Sequence, residues 1–164
     1  MKNLILLLII LLISGRAFSQ EKEWDIVAGL GFPDCLHIGV NKSMNKKSTL
    51  GGSIGYFPDY SNIFQLTAEH QLKLKYSKKF PDMPTWYFAQ RLTYMYEDNV
   101  DYVWHNIYLT PSIGKHFNFN DRFGLNVDLG VVMVLMEKTY AKLECYDEIM
   151  PFLPSLRIQF FYRI

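Results

Sequence analysis

Phe64-Gln65-Leu66-Thr67-Ala68-Glu69-His70-Gln71-Leu72-Lys73-Leu74-Lys75-Tyr76-Ser77 alternates from end to end. Phe64, Leu66, Ala68, His70, Leu72, Leu74 and Tyr76 fall on one face, and Gln65, Thr67, Glu69, Gln71, Lys73, Lys75 and Ser77 on the other. A period of two is the signature of a β-strand with one apolar and one polar face. The run is also far longer than the roughly 5–6 residues of a usual strand. A long strand of this kind suits a barrel with lipid outside and a polar lumen within.

Seven further runs follow the same rule, at residues 24–31, 35–41, 49–56, 86–97, 102–113, 123–131 and 155–164. Turn-forming residues separate them at 32–34, 44–48, 58–62, 79–84, 98–101 and 118–121, with a longer link at 133–151. The expected fold is all-β: an eight-stranded antiparallel up-and-down transmembrane β-barrel with short turns and one longer outer loop. With both termini on the periplasmic side, the links at 32–34, 58–62, 98–101 and 133–151 face outside. The longest link then lies on the outer side, as bacterial barrels prefer. Within 133–151, Met136, Tyr140 and Leu143 share one helical face. A short amphipathic helix and an extension of the flanking strands both fit that spacing.

The N-terminus has Lys2, an apolar run at 4–13 and an Ala17-Phe18-Ser19 site. These are the parts of a secretory signal peptide, expected over residues 1–19, with the barrel domain over 20–164. The apolar run is short of the roughly 20 residues of a membrane helix. Cleavage removes Lys2 and Arg16 and no acid, moving the net charge from +1 to −1. Such a balance excludes the basic footprint of a nucleic-acid binder. Aromatics make up 16% of the chain, a level that suits strands and the girdles where a barrel meets lipid headgroups. The expected location is the outer membrane, with its lipids as the first partner.

Parity places Asp25, Glu69, Lys73, Lys75, Arg91, Glu97, Asp128, Arg157 and Arg163 in the lumen. Side chains fill the interior of an eight-stranded barrel, so these charges are expected to pair as a plug. Inward glycines at 29, 31, 39, 51 and 55 leave room for Tyr87, Arg91, Trp104, Tyr108 and Arg157. His70 and Gln90 are polar residues on the lipid-facing parity. A hydrogen bond between them, a contact with an envelope protein partner and a slip in parity are all open.

Thr110-Pro111-Ser112-Ile113-Gly114-Lys115, Leu129-Gly130, Pro154-Ser155-Leu156-Arg157-Ile158 and Tyr162-Arg163-Ile164 resemble the outer-membrane β-barrel domain proteins of Gram-negative bacteria. The architecture is similar to OmpA/OmpX-type barrels over residues 24–164. That resemblance implies contact with the barrel-insertion machinery, which reads a terminal aromatic residue. This chain departs from the pattern by ending in Ile164, with Phe160 and Tyr162 on the same face.

Cys35 opens the second run beside the first outer link and Cys145 sits in the last outer link, and the first and eighth strands are neighbours in a closed barrel. An oxidising compartment permits a disulfide between them, and two free thiols are the alternative. A metal site from Cys35, His37 and Cys145 lacks a fourth ligand at recognisable spacing. Lipid A deacylases of this size carry a His-x-Ser-Asn arrangement, and the nearest stretch here, His116-Phe117-Asn118, lacks the serine. Ser112 is ~13 Å from His116 along a strand, beyond hydrogen-bond reach. His116 is expected at the periplasmic rim and His105 at an interface. The expectation is a non-catalytic barrel with a structural or interaction role and no cofactor. A soluble lipocalin-like barrel for a small apolar ligand and a lipid-modifying enzyme are the alternatives.

Overall fold

The computed structural model describes residues 24–58, 62–78, 83–141 and 152–164. The expected signal peptide and Cys145 lie outside the described residues. Eight strands, β1 (Trp24–Phe32), β2 (Cys35–Asn45), β3 (Ser48–Pro58), β4 (Asn62–Tyr76), β5 (Pro84–Asp98), β6 (Tyr102–Asn118), β7 (Phe123–Ala141) and β8 (Phe152–Arg163), follow one another in chain order. Each is antiparallel to the next, and β1 pairs with β8 from Asp25↔Arg163 to Phe32↔Leu156, closing the barrel.

Asparagines shape two of the turns. Asn120 Oδ1 accepts from the backbone N–H groups of Arg122 (2.9 Å) and Phe123 (2.7 Å) between β6 and β7. Asn45 Oδ1 accepts from Lys47 N at 2.8 Å between β2 and β3. Both are side chains standing in for a backbone turn acceptor. We call the end bearing the links after β1, β3, β5 and β7 the upper end, and the opposite end the lower.

The polarity of the wall is inverted relative to a soluble domain. Outward residues such as Leu30, Ile38, Leu66, Ile113 and Leu129 are exposed, while Gln65, Thr67, Arg91, Asp128 and Gln159 are buried inside. The apolar outer band is continuous around the barrel and far exceeds the few hundred Å² that a soluble monomer leaves bare.

The longest link is shorter than expected, because β7 runs on to Ala141. Its upper part pairs with β6, from Ile107↔Met136 to Tyr102↔Ala141. A β-bulge where Ile107↔Met136 is followed by Tyr108↔Val134 inserts one extra β7 residue, Leu135. The bulge sits in an unbroken apolar run, residues 131–136, so the period of two that marks a strand is lost there. Of the two expected alternatives for this region, strand extension is the one adopted over 133–141.

The upper rim is a staircase. β1 ends at Phe32, β8 runs on to Phe152 beyond its last β1 partner Leu156, and β7 climbs past its last β8 partner Phe152. Among the described residues the wall is therefore lowest at the β1–β2 hairpin and highest at β6 and β7.

A buried ion network beneath an apolar cup

Five charged side chains meet at mid-lumen, each below 7% exposure: Asp34, Glu69, Arg91, Asp128 and Arg157. Alternation delivers Glu69 from β4, Arg91 from β5, Asp128 from β7 and Arg157 from β8. Arg91 Nη2 lies 2.8 Å from Asp128 Oδ1, and Arg91 Nη1 lies 3.3 Å from Asp34 Oδ2. Arg157 Nη1 lies 2.6 Å from Glu69 Oε2, and its Nε 3.1 Å from Asp128 Oδ2. Tyr87 OH donates to Asp128 Oδ2 at 3.0 Å, and Gln71 donates to Glu69. Glu69–Arg157 spans β4 to β8 and Arg91–Asp128 spans β5 to β7, so both pairs cross the lumen between strands that are not neighbours. Charges out of water need this density of partners, because each costs several kcal/mol to desolvate.

Small residues make the room. A Cβ on Gly31 would sit 2.9 Å from Arg157 Cα, and one on Gly114 would collide with the Tyr87 ring.

Below the network the lumen stays polar. His37 and Gln159 are joined at 3.1 Å, Gln159 accepts from Asn126 at 3.3 Å, and Asn126 bonds His116. His116 lies against Tyr87 in a tilted ring contact, with centres 4.4 Å apart, and is buried in the lumen, not set at the rim as expected. Its position on β6 puts it one turn of alternation above Asn118, enough for Tyr87 and Phe161 to cover it. At the lower rim Arg163 Nε pairs with Asp25 Oδ1 at 3.3 Å.

The expected lumen charges therefore divide. Glu69, Arg91, Asp128 and Arg157 are brought together, and Asp25 with Arg163 forms a separate pair below. Lys73 Nζ donates to Ser43 Oγ at 2.8 Å, near the lower end. Glu97 accepts from Tyr102 OH at 3.0 Å, near the upper end. Lys75 is exposed, because irregular pairing between Lys73, Lys75 and Tyr76 breaks the alternation of β4 there.

Asp34 is the member that pattern reasoning missed. It lies in the β1–β2 link, where period two says nothing, and the link turns into the lumen instead of outward. The hairpin is held down by Gln65, which donates to Pro33 O, and by Ser155 Oγ, which donates to Phe32 O at 2.9 Å. The one available signal was a shortage of acids, since the expected lumen set held five basic and four acidic residues.

Cys35 follows this turn with φ 52°, and its thiol donates to Pro33 O at 3.4 Å. Its pairing with Cys145 falls outside the described residues. Ser112 Oγ accepts from Arg91 at 3.3 Å and His116 bonds Asn126, so the two are not joined. His70 faces outward opposite Gln90 in the register, and its Nε2 pairs with Ser48 Oγ at 2.9 Å. His105 also faces outward, bonded to Tyr94 OH at 2.8 Å and set among Tyr96 and Tyr140.

Above the network the character of the lumen changes. Met95, Tyr108 and Val132 form an apolar cluster with Ile63, Val134 and Leu153. Here the described residues do not fill the lumen, contrary to the expectation of side chains packing its whole length. A cavity of about 710 Å³ remains between this cluster and the tip of the β1–β2 hairpin. The hairpin is too short to fill that space, and its tip is pinned to the ion network below. No protein-family model, curated protein or solved structure matches the chain.

Proposed function

We propose that this protein is a non-catalytic β-barrel of a bacterial outer membrane, with a plugged lumen that serves a structural or interaction role. The observation that carries the reading is the inverted polarity: exposed Leu, Ile, Val and Phe outside, and charged side chains buried inside. A soluble calyx has the reverse arrangement.

Two aromatic belts support it. At the lower end Trp24 lies under Lys42 Nζ (4.6 Å), Phe117 under Lys115 Nζ (4.7 Å), and Phe123 stacks on Phe160. At the upper end Tyr56, Phe64, Tyr96 and His105 follow one another across β3 to β6 in a single register row. Aromatic girdles with snorkelling lysines are what the two faces of a bilayer select. The partners in that setting are outer-membrane lipids and the machinery that inserts barrels, with an envelope protein as a further candidate.

Heat-modifiable gel migration of membrane fractions, together with planar-bilayer conductance, tests the reading. The expected result is faster migration without boiling, from the membrane fraction, and no stable open channel. A soluble periplasmic protein without a shift would overturn the membrane assignment, and steady conductance would overturn the plug.

A further inference from the structure

The cavity above the ion network has a wall that crosses from the inside of the barrel to its outside. Tyr108, Val132 and Met95 line it from within, on inward-facing positions. Leu30, Phe32 and Leu36 line it from the hairpin, on outward-facing positions that are each more than 50% exposed. The sill between the two sets is the tip of the β1–β2 hairpin, the lowest point of the upper rim. Apolar surface is thus continuous from the outer face of β1 and β2, over the sill, into the lumen.

Most polar groups of the lining are engaged within the protein, Gln65 Oε1 being a buried acceptor without a partner among the described residues. Gln65 donates its side-chain amide to Pro33 O, and Glu97 holds Tyr102 OH at 3.0 Å. Tyr108 OH points to Met95 Sδ at 4.0 Å. What remains for an occupant is mostly hydrocarbon, and a vestibule of Leu, Val, Met and Phe left open to water forgoes the burial of that surface. The volume of about 710 Å³ falls within the roughly 300–1,000 Å³ of small-molecule sites.

We propose that the cup takes one acyl chain of a lipid from the surrounding bilayer, entering over the β1–β2 hairpin. The chain passes from lipid to protein without crossing a polar barrier, while its headgroup stays at the membrane surface. The inference rests on the membrane reading above, and the test separates the two.

Trp104 is in the cup lining and stacks on Tyr102, with ring centres 4.4 Å apart. Trp24→Phe and Trp86→Phe, both on the outer face near the lower end, leave it as the sole tryptophan, excited selectively beyond the tyrosine band. This protein is reconstituted in vesicles of phospholipid brominated along its acyl chains. A second version adds Val132→Phe and Leu153→Phe to fill the cup. Bromine quenches indole on contact, so Trp104 is expected to lose at least half its emission in the open version. Most of that emission is expected to return in the filled one. Equal quenching in both, or in neither, overturns the proposal. So does strong quenching by aqueous acrylamide in place of bromine, which marks a water-filled cup. Flotation of the vesicles reports membrane insertion independently, so a protein that floats but keeps its Trp104 emission overturns the cup alone.

Discussion

Asp34 and Arg157 show how a single side chain acquires its role from the opposite wall. Arg157 belongs to β8, yet its partners come from β4, β7 and the β1–β2 link. Arg157→Ala strands Glu69 in a water-poor interior and leaves Asp128 to Arg91 and Tyr87, and removing one partner of a buried pair costs about 3–5 kcal/mol. The expected outcome is a loss of that size in urea unfolding from vesicles, with the barrel still inserting. Arg157 was legible from alternation because strand parity points it inward. Asp34 was not, since a turn residue's direction is set by where the hairpin tip folds, and that depends on Gln65 and Ser155 from distant strands.

At the scale of the element, the upper part of β7 is a ribbon on the edge of the wall, since the β6 residues it pairs with are themselves paired to β5 as far as Asp98↔Val103. β7 beyond Met133 has no described β8 partner, and it is held by β6 on one edge. A ribbon paired on one side opens at lower cost than a strand paired on two. Thr139→Pro removes a backbone donor opposite Trp104, in the middle of this ribbon. Loss of hydrogen-exchange protection is expected over 134–141, with a smaller loss over 103–108, which β5 also holds, and protection of 123–131 unchanged. Uniform loss across β7 would mean that ribbon and barrel open as one unit. The ribbon was half-legible: 102–113 alternates cleanly, whereas the bulge at Leu135 erased the signal of its partner.

For the whole molecule, the decisive property is which solvent the wall faces. Leu129 is 64% exposed, in an outer row with Ile113 and Leu156. Leu129→Arg is expected to cost about 2–4 kcal/mol in vesicle unfolding, the penalty for a charge near the bilayer midplane. On a water-facing surface the same change falls within about ±0.5 kcal/mol. A value in the lower range would argue that this wall meets water.

The amino-acid sequence by itself determined strand number, order and parity, because a closed antiparallel wall with an apolar outer face and a polar inner face imposes a local period of two. From that parity followed the outward apolar band and four of the five charges in the central network. Tertiary structure alone decided the rest. The inward fold of the β1–β2 hairpin, the separation of Asp25–Arg163 from the central cluster and the burial of His116 all depend on register between strands far apart in the chain. The cup depends on it most: it exists because β1 and β2 stop short while β6 and β7 continue, a difference in height that no single strand encodes.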